Sequence, residues 1–154
     1  MPVLRGVLSD GLSEADNRIR ENGQSAGVHR DFPLSQHPYA KLAARYANAA
    51  GELGHYDEVV NQLFETQNEW APNGNVDAAV ARVLPAETIE KVRVLVKNDP
   101  NLDETVAQDM AIVAKDEIHQ TPTIVVVHKG TREKVAGGPT YELLRRYLDE
   151  TLKK

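Results

Sequence analysis

A mixed-sheet α/β domain carrying a helical insertion is the fold class that this sequence predicts. Three observations predict it. The chain opens on a strand, a helix and a second strand; amphipathic helices fill its middle; a β-hairpin and a helix close it. At 154 residues it has the length of one domain. A domain of that size buries roughly two-thirds of its unfolded surface and needs no covalent staples.

The first expected strand gathers Val3, Leu4, Val7 and Leu8 around Arg5-Gly6. A helix is expected from Ser13 to Asn22, with Ser13 as N-cap and Asp16 three residues on, close to a capping box. Its apolar face is only Ala15 and Ile19, so this β-α-β start is degenerate. Gly23 to Gly27 reads as loop, and residues 1–27 together form a weakly patterned segment. From Val28 to Phe32 the chain alternates as a strand does, and it stops at Pro33.

The helical insertion is expected over about 38–117. Pro38 sits where a helix begins, and Ala40, Ala43, Ala44, Ala47 and Ala50 give a face of small residues that Gly51 and Gly54 end. The next helix, Tyr56 to Gln67, carries Tyr56, Val59, Val60, Leu63 and Phe64 as one amphipathic stripe. Trp70 to Gly74 is loop, followed by a short helix with Val76, Ala79, Val80 and Val83. Pro85 opens a helix bearing Ile89, Val92 and Val96. Asp99-Pro100 is a cap and first-turn pair for another, whose stripe is Leu102, Val106, Met110 and Val113. Then the period changes. Thr123 to His128 is β-branched and reads as a buried strand, Lys129-Gly130-Thr131 turns, and Glu133 to Ala136 returns as a second strand. Gly137-Gly138-Pro139 breaks the chain before a last helix with Tyr141, Leu144, Tyr147 and Leu148 inward.

Composition removes whole classes of function. Hydrophobic residues at 41% and charged residues at 27% are globular proportions and exclude wholesale disorder. A net charge of −5 disfavours sequence-independent nucleic-acid binding, which needs a basic face. The cysteine count is zero, which removes disulfides, thiolate nucleophiles, iron–sulfur clusters and cysteine-based zinc sites together. Apolar runs such as Ile124 to Val127 fall far short of the roughly 20 residues of a spanning helix, so no membrane insertion is expected. Met1 to Asp16 has no apolar core of a secretory signal, and cytoplasmic placement is the expectation for the chain as written. Phosphate-binding and hydrolase motifs are absent, no two histidines have the i, i+4 spacing of a helical metal site, and neither cofactor nor metal is expected.

Two stretches resemble the DsbA family of thioredoxin-like proteins, which make or exchange disulfides. One runs from Arg30-Asp31-Phe32-Pro33-Leu34 through His37-Pro38, the alanine-rich helix, Gly51 to Gly54, and Leu63-Phe64 to Trp70. The other is Ile118-His119-Gln120-Thr121-Pro122-Thr123 with its strand, Lys129-Gly130, and Gly137-Gly138-Pro139. Together they cover roughly 28–152. The resemblance implies a thioredoxin-like mixed sheet and makes Pro122 the cis-proline beside a redox centre. Members of that family are often exported.

The family's dithiol is missing. It carries Cys-x-x-Cys where a helix N-terminus stabilises a thiolate; aligned on Ser9-Asp10, this chain has Ser13-Glu14-Ala15-Asp16 instead. Disulfide exchange needs a thiolate, so the expectation is a redox-inactive relic or peptide-binding form. The weak patterning of 1–27 also fits a mis-started coding sequence whose Cys-x-x-Cys lies upstream. The substrate-binding candidates are Thr121 and Pro122: a cis-proline loop leaves the Thr121 backbone free to pair with an extended peptide or protein substrate. The catalytic candidate is Ser13, in an alternative reading as the thiolate partner of a glutathione-dependent transferase or isomerase; an ordinary N-cap is the plainer role. Trp70 is expected to pack on its helix. Asp57-Glu58 and Asp103-Glu104 are expected in first helical turns, where they favour the dipole.

Overall fold

The computed structural model describes residues 28–152. The expected strand around Val3 to Leu8, the helix from Ser13 and the loop to Gly27 lie outside the described residues. The chain divides into two compact units, one running from Arg30 to Asp116. The described part of the other holds the hairpin and the last helix.

In the helical unit, α1 (Ala40–Glu52) lies at the centre, packed against α2 (Tyr56–Glu65), α4 (Val76–Val80), α5 (Ala86–Asn98) and α6 (Asn101–Lys115). Its small residues make that possible: Ala43, Ala44, Ala47, Ala49 and Ala50 are all buried, and short side chains bring helices close. Gly51 does not end α1 as expected, because it lies inside the helix. A Cβ there would stand 3.1 Å from the Tyr56 ring, so the glycine admits a neighbour. Termination falls to Leu53, whose N–H donates to the Ala50 carbonyl, and to Gly54 at φ +82°, whose N–H donates to the Gly51 carbonyl, both at 3.0 Å.

The helix expected over Tyr56 to Gln67 is two pieces. Buried Thr66 interrupts it, its hydroxyl donating back to the Gln62 carbonyl at 2.7 Å, and α3 (Gln67–Trp70) follows. Trp70 packs onto the preceding turns as expected, with its indole N–H on the Leu63 carbonyl at 2.8 Å. In α6, Asp99 acts as foreseen, its carboxylate accepting the Asn101 N–H at 2.8 Å while Pro100 takes helical geometry. Leu102, Val106 and Val113 are buried, as is one residue the stripe did not include, Asp109. Val59, Val76, Val80, Val92 and Leu102 are the largest fully buried side chains of the core. Arg45 braces two helices, its guanidinium reaching the Val96 carbonyl at the end of α5 and Asp103 of α6 at 2.7 Å.

Val28 to Phe32 is not a strand. Val28 is exposed, and the Asp31 N–H donates to the Asp109 carboxylate at 2.8 Å. A side chain has taken the donor that a neighbouring strand would have used.

Gly74 fixes a tight passage between α3 and α4. It adopts φ +76°, and a Cβ would lie 2.5 Å from a Tyr39 ring carbon. Gly74→Ala therefore combines left-handed strain with displacement of the ring, and is expected to destabilise by about 1–3 kcal/mol in urea denaturation. An unchanged midpoint would show that Tyr39 yields without cost.

A second expectation concerns alkaline pH. The Tyr46 hydroxyl donates to Asp77 at 3.0 Å, and Arg93 holds the same carboxylate through two nitrogens at 2.9 and 2.7 Å. Burial first, and Asp77 second, push the Tyr46 pKa up to about 12 from 10.0. The unfolded chain then ionises this phenol before the folded one does, so its contribution is complete below pH 10 and is lost as pH rises toward about 12. Tyr46→Phe should flatten the fall of stability across that window; an identical slope would contradict it.

In the other unit, β1 (Thr123–His128) and β2 (Thr131–Ala136) pair antiparallel from Thr123↔Ala136 to His128↔Thr131. Lys129 and Gly130 take φ 47° and 84°, the left-handed pair of a type I′ turn. The second strand starts at Thr131, ahead of the expected Glu133. Among the described residues the sheet is this antiparallel pair, not a mixed sheet, because the Val28 strand is missing and the Val3 strand lies outside them. The expected buried strand β1 is half-buried rather than buried, and Val127 is exposed. In α7 (Tyr141–Leu152), Leu144 is buried while Tyr147 and Leu148 are half-buried; the expected inward Tyr141 side chain lies outside the description.

Candidate functional site

The entry to β1 is a short loop held at two points. Thr123 donates its hydroxyl to the Gln120 carbonyl at 2.7 Å, closing a turn around Thr121 and Pro122. The Pro122 carbonyl accepts the Gly137 N–H at 2.9 Å, one residue beyond the last strand pair. Gly137 takes φ 85°, which only a glycine adopts readily. Thr121–Pro122 is a cis peptide bond.

These ties leave one residue available. Thr121 is exposed, and no hydrogen bond occupies its backbone N–H or C=O among the described residues. Pro122 behind it is half-buried and anchored. Chemically, an exposed residue with an open backbone donor and acceptor beside a strand can pair with another extended chain. His119 and Gln120, just before it, are exposed as well. The two substrate-binding candidates thus lie together, in a loop whose support from Gly137 the sequence did not announce. Ser13, the catalytic candidate, lies outside the described residues.

The other residues singled out in the sequence take structural positions. Asp57 and Glu58 lie in the first turn of α2, and Asp103 and Glu104 in that of α6. Asp103 bridges Lys41 at 2.9 Å and Arg45 at 2.7 Å, and those cations hold its carboxyl below the usual range. His55 sits at the N-cap of α2 with its ring on Glu58 at 3.0 Å. Among the described residues no three His, Asp or Glu side chains converge as a metal site, and no helix is long and apolar enough to cross a membrane.

The family model described as Thioredoxin matches residues 13–150, from Ser13 into α7. No curated protein and no solved structure matches the chain.

Proposed function

The chain belongs to the thioredoxin family, and from that premise we propose that it is a DsbA-type member without redox chemistry, which holds an extended peptide or protein segment against Thr121 and Pro122. The observation that carries this reading is a chain of 154 residues, matched to the family over 13–150, with no cysteine. Thiol–disulfide exchange proceeds by thiolate attack on a disulfide sulfur, and this polypeptide supplies no sulfur nucleophile. Peptide holding needs none. It uses backbone hydrogen bonds, which are independent of side-chain identity, and Thr121 has both of its backbone groups open.

Two readouts on the same protein test the two halves of the proposal. Insulin disulfide reduction should run at the rate of a no-protein control. A fluorescent, unfolded peptide lacking cysteine should bind saturably, with micromolar to millimolar affinity, because few backbone bonds are formed. Turnover above the control would overturn redox silence. Absence of peptide binding at millimolar concentration would overturn the holding role.

A further inference from the structure

Two Asn-Gly pairs occur in the sequence, Asn22-Gly23 and Asn73-Gly74, and the second lies in the tight passage between α3 and α4. Such a pair can close on itself: the glycine nitrogen attacks the side-chain carbonyl carbon of the asparagine, and no β-carbon on the glycine hinders the approach. Asn73 is exposed, so solvent reaches it.

The fold treats the two reacting groups differently. The Asn75 N–H donates to Asn73 Oδ1 at 2.9 Å. That oxygen gains negative charge when its carbon is attacked, and a donor already aimed at it favours the reaction. The nucleophile is withheld. The Gly74 N–H donates to the Trp70 carbonyl at 2.7 Å, and that bond must break before the nitrogen can lose its proton and turn onto Asn73. Gly74 also stands against the Tyr39 ring, where one added carbon would come within 2.5 Å of a ring atom.

We propose that Asn73 is a self-modification site, latched while this passage is closed and converted to aspartyl and isoaspartyl forms when it opens. The Gly74 nitrogen loses its proton to solvent base and bonds to Asn73 Cγ. The Cγ–Nδ2 bond breaks, and Nδ2 takes a proton back and leaves as ammonia. One water then opens the resulting succinimide. Cleavage between the Gly74 nitrogen and Cγ gives aspartate; cleavage between that nitrogen and the Asn73 backbone carbonyl carbon gives isoaspartate. No oxidant or reductant takes part. Isoaspartate lengthens the main chain by a methylene, for which the Tyr39 contact has no space. The Gly74 bond to Trp70 is then not re-formed, and the change records an opening of the helical unit. The proposal is independent of peptide holding, which uses the proline loop.

The test maps the full chain by mass spectrometry during incubation at neutral pH, with the amide-to-acid mass change assigned to Asn73 or Asn22 by fragment. Asn73 should convert at least about tenfold more slowly in the native chain than in the same chain unfolded in guanidinium chloride, because local opening sets the native rate. Tyr39→Ala, which frees Gly74, should speed conversion toward the unfolded rate, whereas Tyr39→Phe, which keeps the ring, should leave it unchanged. By hydrogen exchange the Gly74 amide should be protected in the parent and exchange at least about tenfold faster in the isolated isoaspartyl form. Equal rates in native and unfolded chains would overturn the latch, and no conversion of Asn73 in the unfolded chain would overturn the site itself. An isoaspartyl form that protects Gly74 as the parent does would overturn the one-way step. The comparison of native with unfolded chain uses the unsubstituted protein, so it stands even if Tyr39→Ala fails to fold.

Discussion

Leu102→Ala is expected to lower the free energy of unfolding by about 2–5 kcal/mol, among the largest losses any single side chain should give. Leu102 lies in the first turn of α6 and is 1% exposed, in one core cluster with Val59, Val76, Val80 and Val92. Truncation removes its transfer free energy and also leaves a cavity. The cavity closes poorly here, because α1 meets its neighbours through alanines: Ala49 and Ala50 are fully buried and have no longer side chain to swing inward. Whole domains are stable by only about 5–15 kcal/mol, so this change takes a large share. Chemical denaturation should show a lower midpoint with an unchanged slope. A loss below about 1 kcal/mol would mean that the start of α6 is not part of the core.

Asp109→Ala comes next, at about 2–3 kcal/mol. Asp109 is buried on α6 and accepts from Arg30 at 2.9 Å and from the Asp31 N–H at 2.8 Å. The Arg30 side chain is half exposed, so the ion pair by itself contributes little. The larger loss is the Asp31 N–H, stranded beside a buried carboxylate that Asn48 also holds, at 2.8 Å. Stability should therefore fall in the order Asp109→Ala, then Asp109→Asn, which keeps one acceptor, then Arg30→Ala. If Arg30→Ala costs as much as Asp109→Ala, the ion pair and not the captured backbone donor ties this segment to α6.

The elements that the sequence disclosed well are those decided by local chemistry. Pro85 before Ile89 and Val92, Asp99 before Pro100, and Lys129-Gly130 between the two strands each act within a few residues, and each appears where it was read. The errors share a different cause. Alternation made Val28 to Phe32 resemble a strand, but a strand requires a partner. The Asp31 N–H is taken instead by a residue 78 positions away. Gly51 looked like a helix stop because composition cannot separate a terminator from a contact, here with Tyr56. Thr66 breaks a continuous apolar stripe through one hydroxyl bond. Thr121 and Pro122 were legible as a motif, whereas the Gly137 N–H that anchors Pro122 was not.

Amide chemical-shift mapping tests the central claim most directly. The isotopically labelled chain would be titrated with an unfolded, cysteine-free peptide while every backbone amide is followed. Peptide holding at the proline loop predicts saturable shifts concentrated at Gln120, Thr121 and Thr123, with the helical core around Leu102 unmoved. Saturable shifts confined to other surfaces, with Thr121 silent at millimolar peptide, would contradict it.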